Sequence, residues 1–336
     1  MSAPAARTIG VGIVGLGFMG RTHFASYART PGCEVRAVLD PAQRAATAGN
    51  LVTTGDSARD DLERALAALP RMADLDALLR RPDIDLVSIC TPTDTHVALV
   101  RASIRAGKHV LVEKPAALDA DAIDRLDREA RAAGVLAMPA HCMRFWPAWA
   151  WMAESVRTRR FGAVRHARFR RLGAAPAWSQ DFYLDFTRSG GAIVDLHIHD
   201  ADFVRFAFGE PASVEATGSR RHVRARYRSA EGAEIEAEGG WMEDPSFAFT
   251  MTAEIACERA TLDFDLMRTP ELRVVSADDG RVTELAAGRD YPSGNGYDHE
   301  IAALVEAIRS GGGAPVTLAD AAATQRLLDR EIAAIG

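Results

Sequence analysis

The sequence predicts an α/β protein in two parts. An N-terminal, doubly wound parallel sheet is expected over residues 1–142, and an α+β part with a large open, mostly antiparallel sheet over residues 143–336. Three observations carry this. Short, β-rich apolar runs alternate with helix-like stretches up to residue 142, as right-handed crossovers in a parallel sheet require. Beyond that point the β-rich runs follow one another with polar turns between them, as antiparallel neighbours do. No internal repeat or low-complexity linker interrupts either part.

Taken in order, "TIGVGIVGLG" is a strand, "MGRTHFASYART" a helix and "CEVRAVLD" a second strand. The segment from about Gly49 to Pro70 is polar and Ala-rich without a strand signal, and reads as an excursion or helical insertion. A short helix, "DLDALLRR", precedes the strand "IDLVSICTP" and the helix "HVALVRASIRAG". The strand "HVLVEKP", the helix "DADAIDRLDREARAAG" and the strand "VLAMPAHC" close the first part.

In the second part, strands are expected at "AVRHARFRRL", "ASVEATGS", "HVRARYRS", "AEIEAEGGW", "FAFTMTAEIAC", "ATLDFDL" and "ELRVVSA". Helical pieces fall at "AWAWMAESVRTR" and "GGAIVDLHIHDADFVRFAF". The tail, "GYDHEIAALVEAIRSGG" and "TLADAAATQRLLDREIAAI", is helical, with room for the C-terminal helix to pack back on the first part.

Composition narrows the possible functions. With 336 residues, 48% apolar and 26% charged, the chain can bury the cores of two ordinary domains. A net charge of −6 with both signs interspersed leaves no basic footprint for nucleic acid. No apolar run approaches the roughly 20 residues of a membrane span. The opening residues lack the charged head, apolar middle and small-residue cleavage site of a signal peptide. Cys33, Cys90, Cys142 and Cys257 are scattered without a CxxC pair, so neither a zinc site nor a disulfide framework is indicated. A cytoplasmic protein with reduced thiols is expected.

The loop "GLGFMG" sets Gly15, Gly17 and Gly20 in GxGxxG spacing, with Phe18 and Met19 between, directly after a strand and before a helix. Glycine permits the tight turn and the close backbone approach by which a pyrophosphate sits on a helix N-terminus. Asp40 ends the next strand, 20 residues after the third glycine, where an acid accepts hydrogen bonds from an adenosine ribose. A carboxylate there repels a 2′-phosphate, so NAD is favoured over NADP, although Arg44 is near enough in sequence to reach over. Two more strand ends belong at this carboxyl edge: "CTPTDTH", Cys90 to His96, and "EKP", Glu113 to Pro115. The latter holds one of only two lysines, Lys108 and Lys114, which stand against 38 arginines among the 40 basic residues. A compact ammonium that persists in so Arg-biased a chain suggests proton chemistry that guanidinium cannot perform.

Together, "GLGFMG", "CTPTDTH", "EKP" and the later "GGAIVDLHIH" resemble the glucose-fructose oxidoreductase / inositol dehydrogenase (Gfo/Idh/MocA) family over nearly the whole chain. The resemblance implies a Rossmann domain plus an open antiparallel sheet domain, with NAD(P) chemistry on sugars, polyols and related alcohols. It carries the family's EKP lysine onto Lys114, and the Asp and His of its DxxxH element onto Asp195 and His199. It puts nicotinamide-side contacts on Thr91, Pro92, Thr93 and His96 and on Glu113, and implies a cis bond between Lys114 and Pro115.

The residues themselves support such chemistry. Asp195 and His199 are four apart in a helical segment and so would share a face. Removing a hydroxyl proton as hydride leaves the carbinol carbon needs a base, for which a histidine is suited. Asp195 would orient it or hold a second hydroxyl, and Lys114 would donate to the reacting oxygen. Their spacing also suits metal ligands, but no third ligand has an obvious spacing, and no metal is expected. His197 reads as structural or a rim contact. His23, His96 and His141 read as polar partners in turns or cores, with His96 also in the cofactor loop. The aromatics of "RFWPAWAW" suggest an interdomain core. Arg144, after Met143 and the last parallel strand, is a candidate contact for cofactor or substrate. Trp178, Asp181 and Tyr183, in an expected loop before the catalytic helix, are candidates to line the pocket.

The expected activity is that of an NAD(P)-dependent dehydrogenase or reductase acting on CH–OH groups of a small polyhydroxylated substrate. Two alternatives remain open: an NAD-dependent glycoside-cleaving enzyme with no net redox change, and a catalytically inactive nucleotide-sensing regulator. A homodimer or homotetramer formed through the C-terminal sheet is expected, because one face of that sheet would otherwise stay exposed.

Overall fold

The computed structural model describes residues 7–40, 56–177 and 179–336. Arg44, with Pro41, Ala42 and Gln43 beside it, and Trp178 lie outside the described residues. The chain divides into two compact units, one running to Ala140 and including Tyr297–Ala322, the other made of His141–Gly296 and Ala323–Gly336.

The first unit alternates strand and helix: β1 Ile9–Val14, α1 Phe18–Arg29, β2 Cys33–Leu39, α2 Asp56–Ala68, α3 Leu75–Leu79, β3 Leu86–Ile89, α4 His96–Arg105, β4 His109–Glu113, α5 Ala120–Ala133 and β5 Ala137–Ala140. All five strands are parallel, in the order β2-β1-β3-β4-β5. Beyond β2 the backbone bridges once more: Val38 N–H donates to Pro70 O at 3.0 Å and Met72 N–H to Val38 O at 2.8 Å. Counting that bridge as an edge strand gives the 3-2-1-4-5-6 order of dinucleotide-binding sheets. The sequence offered no β-rich run at Pro70–Met72, so this edge went unread, while the helix expected in the preceding segment is α2.

The strands are mostly apolar because both faces are covered; β1, β3 and β5 are buried at every position, while β2 exposes Glu34 at its start. α5 shows why the helices lie down on them. Asp119 caps it through Asp121 N–H at 2.9 Å, Ala122, Ile123, Leu126 and Ala130 form one buried stripe, and Gly134 at φ 68° ends it.

The second unit contains α6 Pro147–Arg157, β6 Val164–Ala174, the single-turn helices α7 Gln180–Tyr183, α8 Phe186–Ser189 and α9 Ala192–Asp195, then α10 Ile198–Phe208. β7 Ser213–Gly218, β8 His222–Arg228, β9 Glu234–Met242, β10 Thr250–Cys257, β11 Ala260–Asp265, β12 Leu272–Ser276 and β13 Val282–Leu285 follow. The helices α11 Gly296–Ser310 and α12 Leu318–Ile335 end the chain. The eight-stranded sheet runs β13-β12-β11-β10-β6-β9-β8-β7, antiparallel throughout except for the β6–β9 pair. β13 was not expected: three of its four residues are exposed, so it carries no alternating apolar signal.

One face of this sheet is the core. Phe169 and Phe264 from the strands meet Trp149 of α6 and Phe203 of α10, with Trp149 and Phe203 ring centroids 4.7 Å apart and edge to face. Trp149, taken with its aromatic neighbours as interdomain core, therefore belongs to the second unit's own core. The opposite face is charged rather than apolar. The β9 column Glu234, Glu236 and Glu238 stands between Arg224, Arg226 and Arg228 of β8 and Arg168 and Arg170 of β6, with ion pairs at 2.9–3.4 Å. The expected exposure of a sheet face is thus met by polar pairing, not by an apolar patch. Among the described residues no helix is long and apolar enough to cross a membrane.

Candidate active site

In the first unit β1 has β2 on one side and β3 on the other, so the turns after β1 and β3 leave in opposite directions and open a crevice. The turn after β1 is drawn tight by Gly15 N–H donating to Leu39 O at 2.7 Å, and Cys90 N–H donates to Val14 O at 2.8 Å. Gly15 sits at φ 91°, and a Cβ on Gly20 would lie 1.9 Å from Gly15 O, so neither position admits a side chain. α1 then starts with Gly17 as N-cap and no acidic residue in its first turn. Its leading N–H groups lack intrahelical partners, and its dipole favours an anion at that end. Phe18 is exposed and Met19 half-buried at the same turn, and Asp40 follows β2, half-buried. A cradle kept clear by two glycines and closed by an unshielded helix N-terminus fits a dinucleotide pyrophosphate.

The loop after β3 is rigid. Thr91 Oγ1 and Thr95 Oγ1 are 2.7 Å apart, Thr95 Oγ1 donates to Pro92 O at 2.7 Å, and Thr93–Thr95 form a 3₁₀ turn with Thr93 buried. His96 is buried, its Nε2 lies 2.8 Å from Thr91 O and its Nδ1 2.9 Å from Pro115 O. Both ring nitrogens thus face backbone carbonyls, and the neutral ring donates to one of them. His96, expected in the cofactor loop, ties the β3 loop to the β4 loop, and burial lowers its pKa. Glu113 is likewise held from within the fold. Its Oε2 accepts from Lys114 N–H and its Oε1 lies 3.0 Å from His23 Nε2, so the carboxylate faces the core. Burial alone would raise its pKa, but the His23 hydrogen bond and charge, with Lys114 nearby, hold it below the ordinary value. Lys114 is half-buried at the end of β4, and the Lys114–Pro115 bond is cis.

In the second unit the expected single helix over residues 190–208 is broken. Gly190 (φ 76°) ends α8 and Gly191 (φ 81°) begins α9; a Cβ on Gly191 would lie 2.5 Å from Arg220 O. At the joint, His197 N–H donates to Ala192 O, five residues back, and His199 N–H to Leu196 O, three back. Asp195 is therefore the last residue of α9 and His199 lies in the first turn of α10; both are half-buried. The shared-face argument drawn from one continuous helix does not hold; the joint sets their relation instead.

The residues around His199 are anchors. His197 is fully buried, its Nε2 3.1 Å from Tyr227 Oη and 3.0 Å from Glu331 Oε2. Burial opposes charge on that ring, but Glu331 outweighs it and raises the pKa. Asp200 accepts Arg171 Nη2 at 2.9 Å, and Asp202 accepts Arg144 Nε at 2.8 Å, Arg144 Nη2 at 2.7 Å and Thr324 Oγ1 at 2.9 Å. Arg144, a candidate ligand contact, is thereby committed through two donors to a buried carboxylate, and Met143 is buried. Asp181 is exposed on α7, and Tyr183 stands edge-on to Trp241 with centroids 5.7 Å apart. Among the described residues no group of three or more His, Cys, Asp or Glu is placed to hold a metal ion. A concavity of about 680 Å³ forms the charged trough over Arg168, Arg170, Glu236 and Glu238. It contains none of the residues above, and the strand-end chemistry is the better guide.

A glycine-lined turn at the switch point of a doubly wound sheet, leading into a bare helix N-terminus, defines an NAD-binding Rossmann unit. Residues 9–141 match the family model described as "Oxidoreductase family, NAD-binding Rossmann fold", and residues 149–262 match the Gfo/Idh/MocA C-terminal domain. The chain belongs to the Gfo/Idh/MocA family. It is 34% identical over 209 residues to UDP-N-acetylglucosamine 3-dehydrogenase of Acidithiobacillus ferrooxidans, covering 62% of this chain and 57% of that protein. It is 32% identical over 215 residues to inositol 2-dehydrogenase of Rhizobium meliloti, covering 63% and 59%. The matched part thus spans less than two thirds of these relatives' lengths. A levoglucosan dehydrogenase structure in complex with NADH and L-sorbose superposes with a TM-score of 0.82, covering 98% of this chain and 96% of that one. At 21% identity, that likeness shows the fold.

Proposed function

We propose that the chain is an NAD-dependent oxidoreductase that moves a hydride between nicotinamide and a secondary alcohol or ketone of a sugar, inositol or similar polyol. The half-buried Lys114 at the carboxyl end of β4, beside the rigid β3 loop of the NAD-binding unit, carries this reading. The names of the two relatives above, both dehydrogenases of polyhydroxylated compounds, support the substrate class. When bound, the nicotinamide supplies the acceptor or donor of hydride. In the oxidation direction His199 takes the hydroxyl proton, Asp195 orients that ring or a second substrate hydroxyl, and Lys114 donates to the oxygen as negative charge builds on it. The anchors on His197, Asp200 and Asp202 hold the base still, which preorganises proton transfer.

The test is NADH formation followed optically with a panel of aldoses and polyols. Steady accumulation of NADH with at least one of them is expected. Turnover of a substrate with no net NADH would favour the glycoside-cleaving alternative, and NAD binding without turnover of any would favour the sensor. We further propose that the protein works in a reducing compartment such as the cytoplasm, in keeping with four cysteines that form no disulfide. We also propose that it self-associates through the charged sheet face, whose alternating columns are self-complementary under a two-fold axis.

A further inference from the structure

Three side chains of the first unit take no part in that chemistry, yet they form a line. Glu113 Oε1 lies 3.0 Å from His23 Nε2, and Nδ1 of the same ring lies 3.4 Å from the Cys90 sulfur. Ser88 Oγ, 2.8 Å from that Nδ1, steadies the ring from the strand below. His23 is fully buried and Glu113 nearly so, whereas Cys90 is half-buried at the open end of β3. A carboxylate on one ring nitrogen leaves the other to take a thiol proton, the relation by which cysteines are activated as nucleophiles. Burial works against charge on the His23 ring, but the Cys90 sulfur and then the Glu113 carboxylate outweigh it and hold its pKa well above the ordinary value.

Burial pushes the Cys33 and Cys257 thiols up to about 11, which keeps them protonated at neutral pH, and Cys142 is buried. Cys90 also adjoins the dinucleotide turn: a Cβ on Gly20 would be 3.6 Å from Cys90 Cβ, and one on Gly15 would be 2.8 Å from Cys90 O. The turn is packed directly on this residue, with little space for added atoms.

We propose that Cys90 is a peroxide-sensitive modification site that controls dinucleotide binding, with His23 and Glu113 as its proton-accepting pair. The thiol proton moves to His23 Nδ1 while Nε2–H donates to Glu113. The sulfur attacks one peroxide oxygen; the S–O bond forms and the O–O bond breaks. Sulfur is oxidised by two electrons to the sulfenic acid, and the departing hydroxide takes the proton from His23 and leaves as water. The added oxygen crowds Gly15 and Gly20, and a thiol reductant restores the cradle.

The site is tested first without NAD, by iodoacetamide alkylation of the native full chain with peptide mass mapping. Cys90 is expected to react at least about tenfold faster than Cys33, Cys142 or Cys257 at neutral pH, and His23→Gln to slow Cys90 by a similar factor while leaving Cys33 unchanged. Because His23→Gln alters a buried position, wild-type protein supplies a second measure: NAD should protect Cys90 from alkylation. Hydrogen peroxide should then abolish NAD binding in the wild type, with recovery in dithiothreitol, while Cys90→Ser keeps its own untreated affinity. A Cys90 rate no faster than Cys33, or the same rate in folded His23→Gln, overturns the relay. Peroxide-treated wild type that binds NAD like untreated protein overturns the control of binding. The control of binding rests on the NAD reading, whereas the alkylation rates stand or fall alone. Failure to bind NAD before oxidation would count against that reading only.

Discussion

Lys114 and Lys108 show how one composition signal divides into two physical causes. Lys108 Nζ donates to Arg81 O at 3.0 Å and Ile84 O at 2.8 Å, holding two backbone carbonyls that a compact ammonium can reach together. Rarity of lysine is therefore no mark of proton chemistry by itself, since one of the two is structural. The distinction yields opposite expectations. Lys108→Met should lower unfolding stability by roughly 1–2 kcal/mol with turnover kept, measured by chemical denaturation and steady-state kinetics. Lys114→Arg should keep stability but lower kcat by a factor on the order of 10², and His199→Ala should do the same with NAD affinity retained. The double variant should lose far less than the sum, because residues acting as one unit are not additive. Near-normal kcat in Lys114→Arg would remove the role proposed for that lysine. The placing of the glycines in the turn after β1, of Asp40 after β2 and of Lys114 at the end of β4 was legible because each follows from local backbone or strand-end position. The inward turns of His96 and Glu113 were not, since which way a loop side chain points depends on partners, here Pro115 and His23, that sequence adjacency does not reveal.

At the scale of elements, the joint between α9 and α10 is where the sequence misled. No Gly or Pro marks it, so the run from residue 190 to 208 reads as one helix. A signal did exist elsewhere: the paired glycines in β9. A Cβ on Gly239 would lie 2.6 Å from His197 Cβ, and glycine inside a strand marks close approach by another backbone or side chain. Gly239→Ala should push His197 off its Glu331 and Tyr227 partners and reduce kcat with little change in NAD affinity, read by kinetics and calorimetric titration. The Asp202 anchor has a pH signature. Burial would raise its pKa, but His141, Arg144 and Thr324 overcome that and hold it at about 2, against an ordinary value of 3.8. A depressed carboxylate stabilises the fold above its unfolded pKa and loses that contribution as pH falls through the folded one. The loss should amount to something on the order of 2 kcal/mol between about pH 4 and pH 2. Asp202→Asn should therefore be much less stable than wild type at pH 7, and the gap should narrow across that window in urea titrations.

For the molecule as a whole, two expectations concern binding. NAD should bind more tightly than NADP because of Asp40, measured by fluorescence titration of both; equal affinities would shift attention to Arg44. If copies join through the charged sheet face, the assembly should weaken between roughly 0.1 M and 1 M salt, as the screening length falls from about 10 Å to about 3 Å. Sedimentation at both salts decides this, and an oligomer indifferent to salt would place the interface elsewhere. The two-part architecture was legible because parallel and antiparallel sheets write different periodicities. The nature of the exposed sheet face was also visible in principle, in the alternation "HVRARYR" and "EIEAE", but was read for its buried half.

The division of the chain into units has a consequence for how it is made. The core of the NAD-binding unit includes Leu318, Ala321 and Ala322 of α12, and that unit reclaims Tyr297–Ala322 after the whole of the second sheet. A ribosome releases the five parallel strands early but withholds their last apolar partners until the whole second sheet has been made. The rule that an N-terminal domain folds while the rest is still being synthesised should fail here. A nascent chain stalled after β5 should remain protease-sensitive, and resistance of the first 140 residues should appear only once α12 has emerged.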